Sequence, residues 1–154
     1  MITTRQANAD DLATIVEFNA RMAAETEGLT LDSVTLTEGV RAALADESKA
    51  IYLVAEAEGR PVGTLMITSE WSDWRNGPIW WLQSVYVLPE WRRHGVFRAL
   101  YRHAHQLARS RGAKGLRLYV ERDNIVAQTT YEQVGMARSH YVMFERVPLA
   151  PIPS

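Results

Sequence analysis

The sequence predicts a single α/β domain in which a mixed, mostly antiparallel sheet is flanked by helices. Amphipathic helical runs alternate with short β-rich runs, three β-rich runs follow one another across tight-turn signals, and a long helical run then leads to another β-rich run. The 154 residues, 47% apolar and 23% charged, suit one well-filled globular core. We expect the domain over residues 1–147 and a loose Pro-rich tail over residues 148–154.

Local signals justify each element in order along the chain. Asn8 or Asp10 can cap the first helix, because a side-chain oxygen at that position accepts a hydrogen bond from the first turn. Residues 58–61 and 76–78 are turn signals that separate three antiparallel strands, and Gly112 is a natural stop for the long helix. The predicted order β-α-α-β-β-β-α-β-α-β comprises, in turn, residues 2–6, 8–25, 34–45, 50–57, 62–71, 79–87, 96–111, 115–120, 124–134 and 136–147.

The composition excludes several classes of protein. A formal net charge of −1 counts against a general nucleic-acid binder, which carries a basic excess. The chain has no cysteine, which excludes disulfides, thiolate metal sites and a cysteine nucleophile, and its four histidines lack metal-ligand spacing. Residues 1–12 lack the apolar core of a signal peptide, and no apolar run reaches the roughly 18 residues of a membrane span. We therefore expect a cytoplasmic protein with no metal, membrane or nucleic-acid partner.

A turn crowded with positive charge joins the strand ending at Val87 to the long helix. Arg92, Arg93 and His94 precede Gly95, where the absence of a side chain lets a bulky anion approach the backbone. A helix start also carries unpaired N–H groups and a partial positive charge, so this turn suits a pyrophosphate. The alternative is a solvated basic turn with a structural glycine, and the stretch alone leaves both interpretations open.

A second pair of residues lies near the end of the chain. Asn124 stands at a helix start and Tyr131 follows seven residues later, close to two turns, so both lie on about the same face. A phenol near a developing thiolate can supply a proton. In the alternative interpretation Asn124 is only a helix cap and Tyr131 only a core aromatic.

These two stretches and the element order resemble the GCN5-related N-acetyltransferase (GNAT) superfamily, from the first strand to Phe144. In that family a strand ending in V-x-V precedes an (R/Q)-x-x-G-x-(G/A) loop. Residues 85–87 match the strand end, and residues 92–97 match the loop at its first and fourth positions. Residues 124–136 match the later motif N-x-x-A-x-x-x-Y-x-x-x-G-(F/M) at every fixed position. Phe97 departs from the family's Gly or Ala, and we expect its ring to point away from the pyrophosphate, into the core.

The resemblance implies acetyl-CoA as cofactor and direct attack by a primary amine on the thioester in a ternary complex. The strand backbone would pair with the pantetheine arm, an N–H near Val85 would stabilise the oxyanion, and Asn124 would contact the cofactor. Tyr131 occupies the family's proton-donor position, where it would protonate the leaving thiolate as a general acid. The implied cofactor-binding residues are Val85, Tyr86, Val87, Arg92, Arg93, His94, Gly95, Val96, Phe97, Arg98, Asn124 and Tyr131.

The general base has no single assignment. Several family members place a Glu early on the V-x-V strand, where this chain has Trp80, Trp81 and Gln83, and others place it at the end of the fifth strand, near Tyr119. Acidic residues flanking the implied acceptor cleft are the candidates, namely Glu25, Glu27, Glu70, Asp73 and Glu121, with Glu27 and Glu70 favoured as base or amine-binding groups. We place Glu25 and Glu27 in the loop after the first helix.

The acceptor is expected to be a small-molecule or peptide amine. Carboxylates beside exposed aromatic side chains suit a cationic or aromatic amine ligand, although the exposed tryptophans equally suit a subunit contact or a hydrophobic lid. The expected substrate-binding residues are Glu25, Glu27, Trp71, Trp74 and Gln83. Two alternatives to an N-acetyltransferase are a catalytically weak acyl-CoA-binding module and an interaction domain that uses Arg92, Arg93, Arg98 and Arg102. A homodimer is also expected, because members of the resembled family often pair through late strands.

Overall fold

A computed structural model of the protein describes residues 1–153, which divide into two compact units, the first over residues 1–119 and the second from residue 120 onward. The first unit holds a five-stranded sheet of order β1-β2-β3-β4-β5 and three α-helices. The second unit holds one α-helix. The elements are β1 Ile2–Gln6, α1 Leu12–Glu27, α2 Ser33–Ala45, β2 Ile51–Ala57, β3 Arg60–Ser72, β4 Gly77–Val87, α3 Val96–Ser110, β5 Gly115–Arg117 and α4 Ile125–Gln133.

The sheet is mixed, which confirms the predicted fold class. Strands β1 to β4 pair antiparallel with their neighbours, and β5 runs parallel to β4. The β2–β3 hairpin turns through Glu58 and Gly59, both with left-handed backbone (φ 52° and 74°), as a two-residue turn between twisted strands requires. The predicted turn chemistry therefore fixes the register of this hairpin.

A bulge interrupts β4 near its end. Thr64 of β3 pairs with Tyr86, whereas Met66 pairs with Gln83, so β4 has one residue more than β3 between these pairs. Ser84 supplies the kink with a positive φ of 50°. Because a bulge bends its strand and increases the local twist, the last residues of β4 are redirected relative to the rest of the sheet.

The main core holds α3 against the sheet. Leu53 of β2, Leu65 of β3 and Trp80 of β4 belong to the same buried cluster as Val96 and Leu100 of α3. Close packing is needed where α3 begins, because a Cβ added to Gly63 would lie only 2.8 Å from Val96 Cγ1. The fit between β3 and α3 therefore fixes the position of the helix start.

A second, smaller core lies under α1 and α2. Ile15 of α1, Val40 and Ala43 of α2, and Tyr52 of β2 are buried together. Phe18 extends from α1 into the main core, where its ring centroid lies 5.4 Å from that of Tyr86. The middle of α1 is therefore positioned against Tyr86, near the end of β4.

Three sequence expectations about element bounds are wrong. The fifth strand ends at Arg117 rather than at residue 120, because its pairing with β4 covers only three positions before β4 bends. Residues 136–147 alternate like a strand, yet within the described residues they form none, and side chains among them such as Phe144, at 93%, are exposed. Glu25 and Glu27 lie in the last turn of α1, because the helix continues until Gly28 terminates it in a left-handed conformation.

Candidate active site

The start of α3 differs from the starts of α2, α4 and the helical segment that begins at Ala9 and continues into α1. Asp32 and Asn124 cap α2 and α4 with their side chains, and Asn8 caps the short 3-10 turn over Ala9–Asp11 that leads into α1. In α3 the cap residue is Gly95, with φ 81° and no capping side chain. The first N–H groups of a helix have no partner within the helix itself, so this start suits an external anion.

The turn before α3 concentrates positive charge around that helix start. Arg93 adopts a left-handed conformation with φ 65°, and Gly95 repeats it two residues later. The side chains of Arg93, His94 and Arg98 are exposed, and the His94 ring lies edge-on to that of Trp91 with Nδ1 2.8 Å from the Arg92 carbonyl oxygen. Alternating right- and left-handed residues form concave backbone nests that bind anions.

The last residues of β4 present a free strand edge within the first unit. Pairing with β5 ends at Trp81 opposite Arg117, so residues 82–87 of β4 pair only with β3. The Tyr86 side chain is buried in the main core, which leaves its backbone as the part that a ligand can reach. This edge lies immediately before the anion-binding turn, so a ligand with amide groups and a pyrophosphate fits both.

Glu25 connects the end of α1 to this region. Its Oε1 accepts a hydrogen bond of 2.6 Å from the Tyr86 hydroxyl, and its Oε2 accepts one of 2.7 Å from Nη2 of Arg92. The two hydrogen bonds, that from Tyr86 first, hold the pKa of Glu25 below its usual value. A carboxylate with two donors and a lowered pKa is a poor general base, because a base must accept a proton near neutral pH.

A polar cluster lies across β3, β4 and β5 where β4 and β5 part. Glu70 Oε1 accepts a hydrogen bond of 2.9 Å from Nε1 of Trp81, and Glu70 Oε2 accepts one of 2.8 Å from Nη1 of Arg117. Tyr119 extends the cluster, with its ring centroid 6.3 Å from that of Trp81. Sequence reasoning missed Arg117, although its alternation on a strand next to Trp81 was a usable signal.

A model of the acetyltransferase (GNAT) family matches residues 18–136. The chain belongs to the GNAT family of acetyltransferases. A possible acetyltransferase from Clostridium difficile 630 has 44% sequence identity and a TM-score of 0.88, and the match covers 97% of this chain and 99% of that chain. The predicted family and enzyme class are therefore confirmed: the protein is an N-acetyltransferase that uses acetyl-CoA.

Two relatives of the GNAT protein carry names that include an acceptor. The aminoglycoside N(6')-acetyltransferase type 1 of Stenotrophomonas maltophilia is 28% identical over 153 residues, covering 97% of this chain and 95% of the relative. The structure of AAC(6')-Iy in complex with the bisubstrate analogue CoA-S-monomethyl-acetylneamine has a TM-score of 0.78 at 17% identity, covering 95% and 97% of the two chains. At that identity the second likeness concerns the fold alone.

The other acidic and aromatic candidates on the GNAT fold have different surroundings. The Glu27 side chain is exposed and makes no hydrogen bond within the described residues, whereas Asp73 Oδ1 accepts a hydrogen bond from the backbone N–H of Trp74. Trp71 and Trp74 are 66% and 87% exposed, as their place beside a turn predicts. Two further candidates are an exposed Glu121 and a half-buried Gln83, whose Oε1 accepts a hydrogen bond from Thr68.

The second unit contains both residues of the later motif. Asn124 Oδ1 accepts a hydrogen bond of 3.1 Å from the N–H of Ala127, so the residue caps α4 with its oxygen, and its amide nitrogen has no hydrogen-bond partner in the described part of the chain. Tyr131 is half-buried in α4, and this burial raises the pKa of its hydroxyl above the usual phenol value. The hydroxyl is therefore protonated at neutral pH, as a proton donor must be.

Phe97 lies elsewhere than predicted. Its ring is half-buried on the flank of α3, with its centroid 6.0 Å from that of Tyr101 one turn further on, rather than in the core. The cause is helical geometry, because residues four apart share a face and Tyr101 is also only half-buried.

Two negative findings complete the description of the site. Within residues 1–153 no three His, Asp or Glu side chains are grouped to hold a metal ion. In the same described part of the chain no helix is long and apolar enough to cross a membrane.

Proposed function

We propose that this N-acetyltransferase transfers the acetyl group of acetyl-CoA to a primary amine by direct attack in a ternary complex. The observation that carries the proposal is the start of α3, which lacks a side-chain cap and is reached through a cationic turn with two left-handed residues. The free edge of β4 immediately before it supports the same reading.

Separate parts of the chain would hold the cofactor. The backbone of residues 92–98 and the exposed side chains of Arg93, His94 and Arg98 would hold its pyrophosphate. The backbone of residues 85–87 would hydrogen-bond its pantetheine amides, as a neighbouring strand does. Bound there, acetyl-CoA supplies the activated acetyl thioester. The amide nitrogen of Asn124 would add a further contact.

Two groups of this chain would move protons. The Tyr131 hydroxyl, protonated because burial raises its pKa, would donate its proton to the departing sulfur. The amine must lose a proton before it attacks, and Glu27 or Glu70 would accept that proton directly or through water. The Glu27 side chain has no competing donor within the described residues, which suits a general base. Glu70 accepts hydrogen bonds from Trp81 and Arg117, so it suits amine binding better than proton transfer.

The acceptor is proposed to be a cationic amine, with aminoglycosides the first class to screen and peptide amines the second. The name of the Stenotrophomonas relative supports the first class. Both carboxylate oxygens of Glu25 already accept hydrogen bonds within the protein, so the surface for such a ligand would be formed by Glu27, Trp71, Trp74 and Gln83. A cytoplasmic location and a homodimer remain predictions, which cell fractionation and sedimentation would check.

Calorimetric titration of acetyl-CoA, and of dephospho- and desulfo-CoA analogues, tests the cofactor part of the proposal. We expect saturable micromolar binding that weakens when phosphates are removed, followed by turnover in an amine screen. Binding without turnover of any amine would favour a catalytically weak acyl-CoA-binding module. Absence of binding at millimolar ligand would favour an interaction domain, and steeply salt-dependent binding to a polyanion would then identify the partner class.

Replacing Tyr131 with Phe tests the proton donor. We expect kcat to fall by about 10²-fold, because a positioned acid contributes about that much, while calorimetric acetyl-CoA affinity stays the same. Equal kcat in Tyr131→Phe and in the parent protein would remove Tyr131 from the mechanism.

A further inference from the structure

Arg92 has three contacts that direct its guanidinium back toward the protein. Its Nε donates a hydrogen bond of 3.0 Å to the Val87 carbonyl oxygen, and its Nη2 donates one of 2.7 Å to Glu25. Its Cζ also lies 5.5 Å from the centroid of the Tyr86 ring, within cation–π distance. The group is therefore engaged with the ends of α1 and β4, although it occupies the first position of the pyrophosphate-binding motif.

Glu25 completes a closed arrangement of three side chains. The buried Tyr86 hydroxyl donates to one carboxylate oxygen and Arg92 donates to the other. The lowered pKa of Glu25 keeps the carboxylate charged at neutral pH, so the ion pair persists there. Two donors on separate oxygens fix the carboxylate in one orientation, and this in turn fixes the guanidinium.

The backbone directly after Arg92 has a conformation that this arrangement can stabilise. Arg93 adopts a left-handed conformation with φ 65°, which is unfavourable for a residue that has a Cβ. Such a conformation persists only where the surroundings hold it. The contacts of Arg92 fix the residue on one side of Arg93, and the start of α3 fixes the chain on the other side.

We propose that Arg92 is a positioning residue, which with Glu25 and Tyr86 holds the turn at residues 92–95 in the shape that binds pyrophosphate. The inference rests on the proposed function, because it concerns acetyl-CoA at that turn. It also means that acetyl-CoA affinity depends on Glu25, a residue of α1, although no phosphate contact is assigned to Glu25.

Steady-state kinetics with three variants tests the proposal. Glu25→Gln removes the charge and keeps the shape, Arg92→Lys keeps the charge and loses the two-donor geometry, and the third variant combines both changes. We expect each single change to raise the KM for acetyl-CoA by about tenfold, with kcat at saturating acetyl-CoA unchanged. The double variant should be no worse than the worse single variant, because both changes break the same arrangement.

A direct phosphate contact by Arg92 predicts a different pattern. Glu25→Gln would then leave KM unchanged or lower it, since it removes a competing carboxylate, and Arg92→Lys would raise KM in either background. That result would overturn the proposal. Both side chains are partly exposed, 38% for Glu25 and 48% for Arg92, so the variants should fold, and circular dichroism would confirm it.

A matched control uses another exposed ion pair that joins separate elements. Glu47, between α2 and β2, lies 3.2 Å from Nη1 of Arg111 at the end of α3. Glu47→Gln should leave the KM for acetyl-CoA unchanged, whereas an equal rise in KM would mean that loss of any such pair has this effect and would overturn the proposal. If the parent protein itself fails to bind acetyl-CoA, the proposed function fails as well; if it binds and Glu25→Gln has no effect, only this inference fails.

Discussion

The starts of α1 and α3 use the same helix geometry in opposite ways. Before α1, Asn8 Oδ1 accepts a hydrogen bond from the N–H of Asp10, and the carboxylate of Asp11 accepts one from the N–H of Asn8. Before α3, a glycine occupies the cap position and no side chain caps the first turn. The first helix start is therefore completed by the protein's own acidic group, and the second is open to an anion from outside.

Charge near the two helix starts follows the same division. Asp11 is buried and binds Arg5 through two hydrogen bonds of 2.8 and 2.9 Å, so the positive end of the helix and a guanidinium share one carboxylate. Arg93 and Arg98 near α3 are exposed cations. Both helix starts attract an anion. A start whose anion is supplied by the chain itself is structural, whereas a start left open to an external anion is a binding site.

The largest expected effect comes from removing the internal anion. Asp11→Ala should lower the free energy of unfolding by about 3 kcal/mol, because it leaves a partly buried guanidinium and the Asn8 N–H without their shared acceptor. Urea unfolding measures the change, and calorimetry on the folded variant should give an unchanged acetyl-CoA affinity. A large loss of that affinity would mean that the two helix starts are not functionally separate.

Adding an internal anion to the second helix start should have nearly as large an effect on binding. Asn and Asp both tolerate the left-handed backbone of Gly95, and a Cβ there meets nothing within 4 Å. We expect Gly95→Asp to bind acetyl-CoA about 100-fold more weakly than Gly95→Asn, because only the carboxylate competes with the phosphates for the turn. Calorimetric titration measures the ratio.

Gly112, at the other end of α3, provides the control for this pair. It has φ 78° and equally open space, so Gly112→Asp and Gly112→Asn carry the same strain far from the turn. The two should bind acetyl-CoA equally. If the Gly95 pair also bound equally, the phosphates would have to lie elsewhere.

Asn124 sharpens the comparison, because it caps α4 as Asn8 caps the start before α1. An Asp at position 124 keeps the capping oxygen and loses the amide donor. We expect Asn124→Asp to weaken acetyl-CoA binding about tenfold, since one hydrogen bond to a charged or polar ligand group is worth roughly that much. Thermal unfolding should change little, and Asn8→Asp should leave binding unchanged; equal binding by Asn124→Asp and the parent would make Asn124 a cap alone.

Local features of the site were predictable from the sequence, and long-range ones were not. The turn at Gly95, the cap at Asn124 and the hairpin at Gly59 depend on the conformations that a few neighbouring residues allow, so their signals are local. Glu25 and Arg92 are 67 residues apart, and Glu70 and Arg117 are 47 apart. Such pairs depend on how α1 and the strands pack, which no local pattern encodes.

The predicted last strand failed for a related reason. Alternation in residues 136–147 meets the local criterion for a strand, yet pairing needs a neighbouring backbone. Among the described residues these twelve have no strand partner, and Tyr141, Val142, Met143 and Phe144 are all exposed. An alternating sequence pattern therefore indicates β-propensity, but a strand forms only where a neighbouring backbone pairs with it.

The smallest expected effect is the pH dependence of the stability that Asp11 contributes. Hydrogen bonds from Arg5, and then from the Asn8 backbone, hold the pKa of Asp11 below its usual value. Its stabilising contribution is therefore complete above the unfolded pKa of about 3.9 and is lost as pH falls through the lower folded pKa. Comparing the parent with Asp11→Asn by urea unfolding, we expect the stability difference to shrink by at most about 0.7 kcal/mol between pH 7 and pH 3.5.

The direction of this change in the stability difference is what tests the internal anion, because Asn has the shape of Asp but does not titrate. As pH falls, Asp11 is protonated first in the unfolded chain, so acid stabilises the unfolded state of the parent protein. The Asn side chain of the variant does not titrate, so this contribution is absent from the variant's folding equilibrium. A difference that stays constant or widens toward pH 3.5 would mean that Asp11 is not held as a carboxylate by Arg5. The start of α1 would then lack its internal anion, and its contrast with α3 would rest on the Asn8 cap alone.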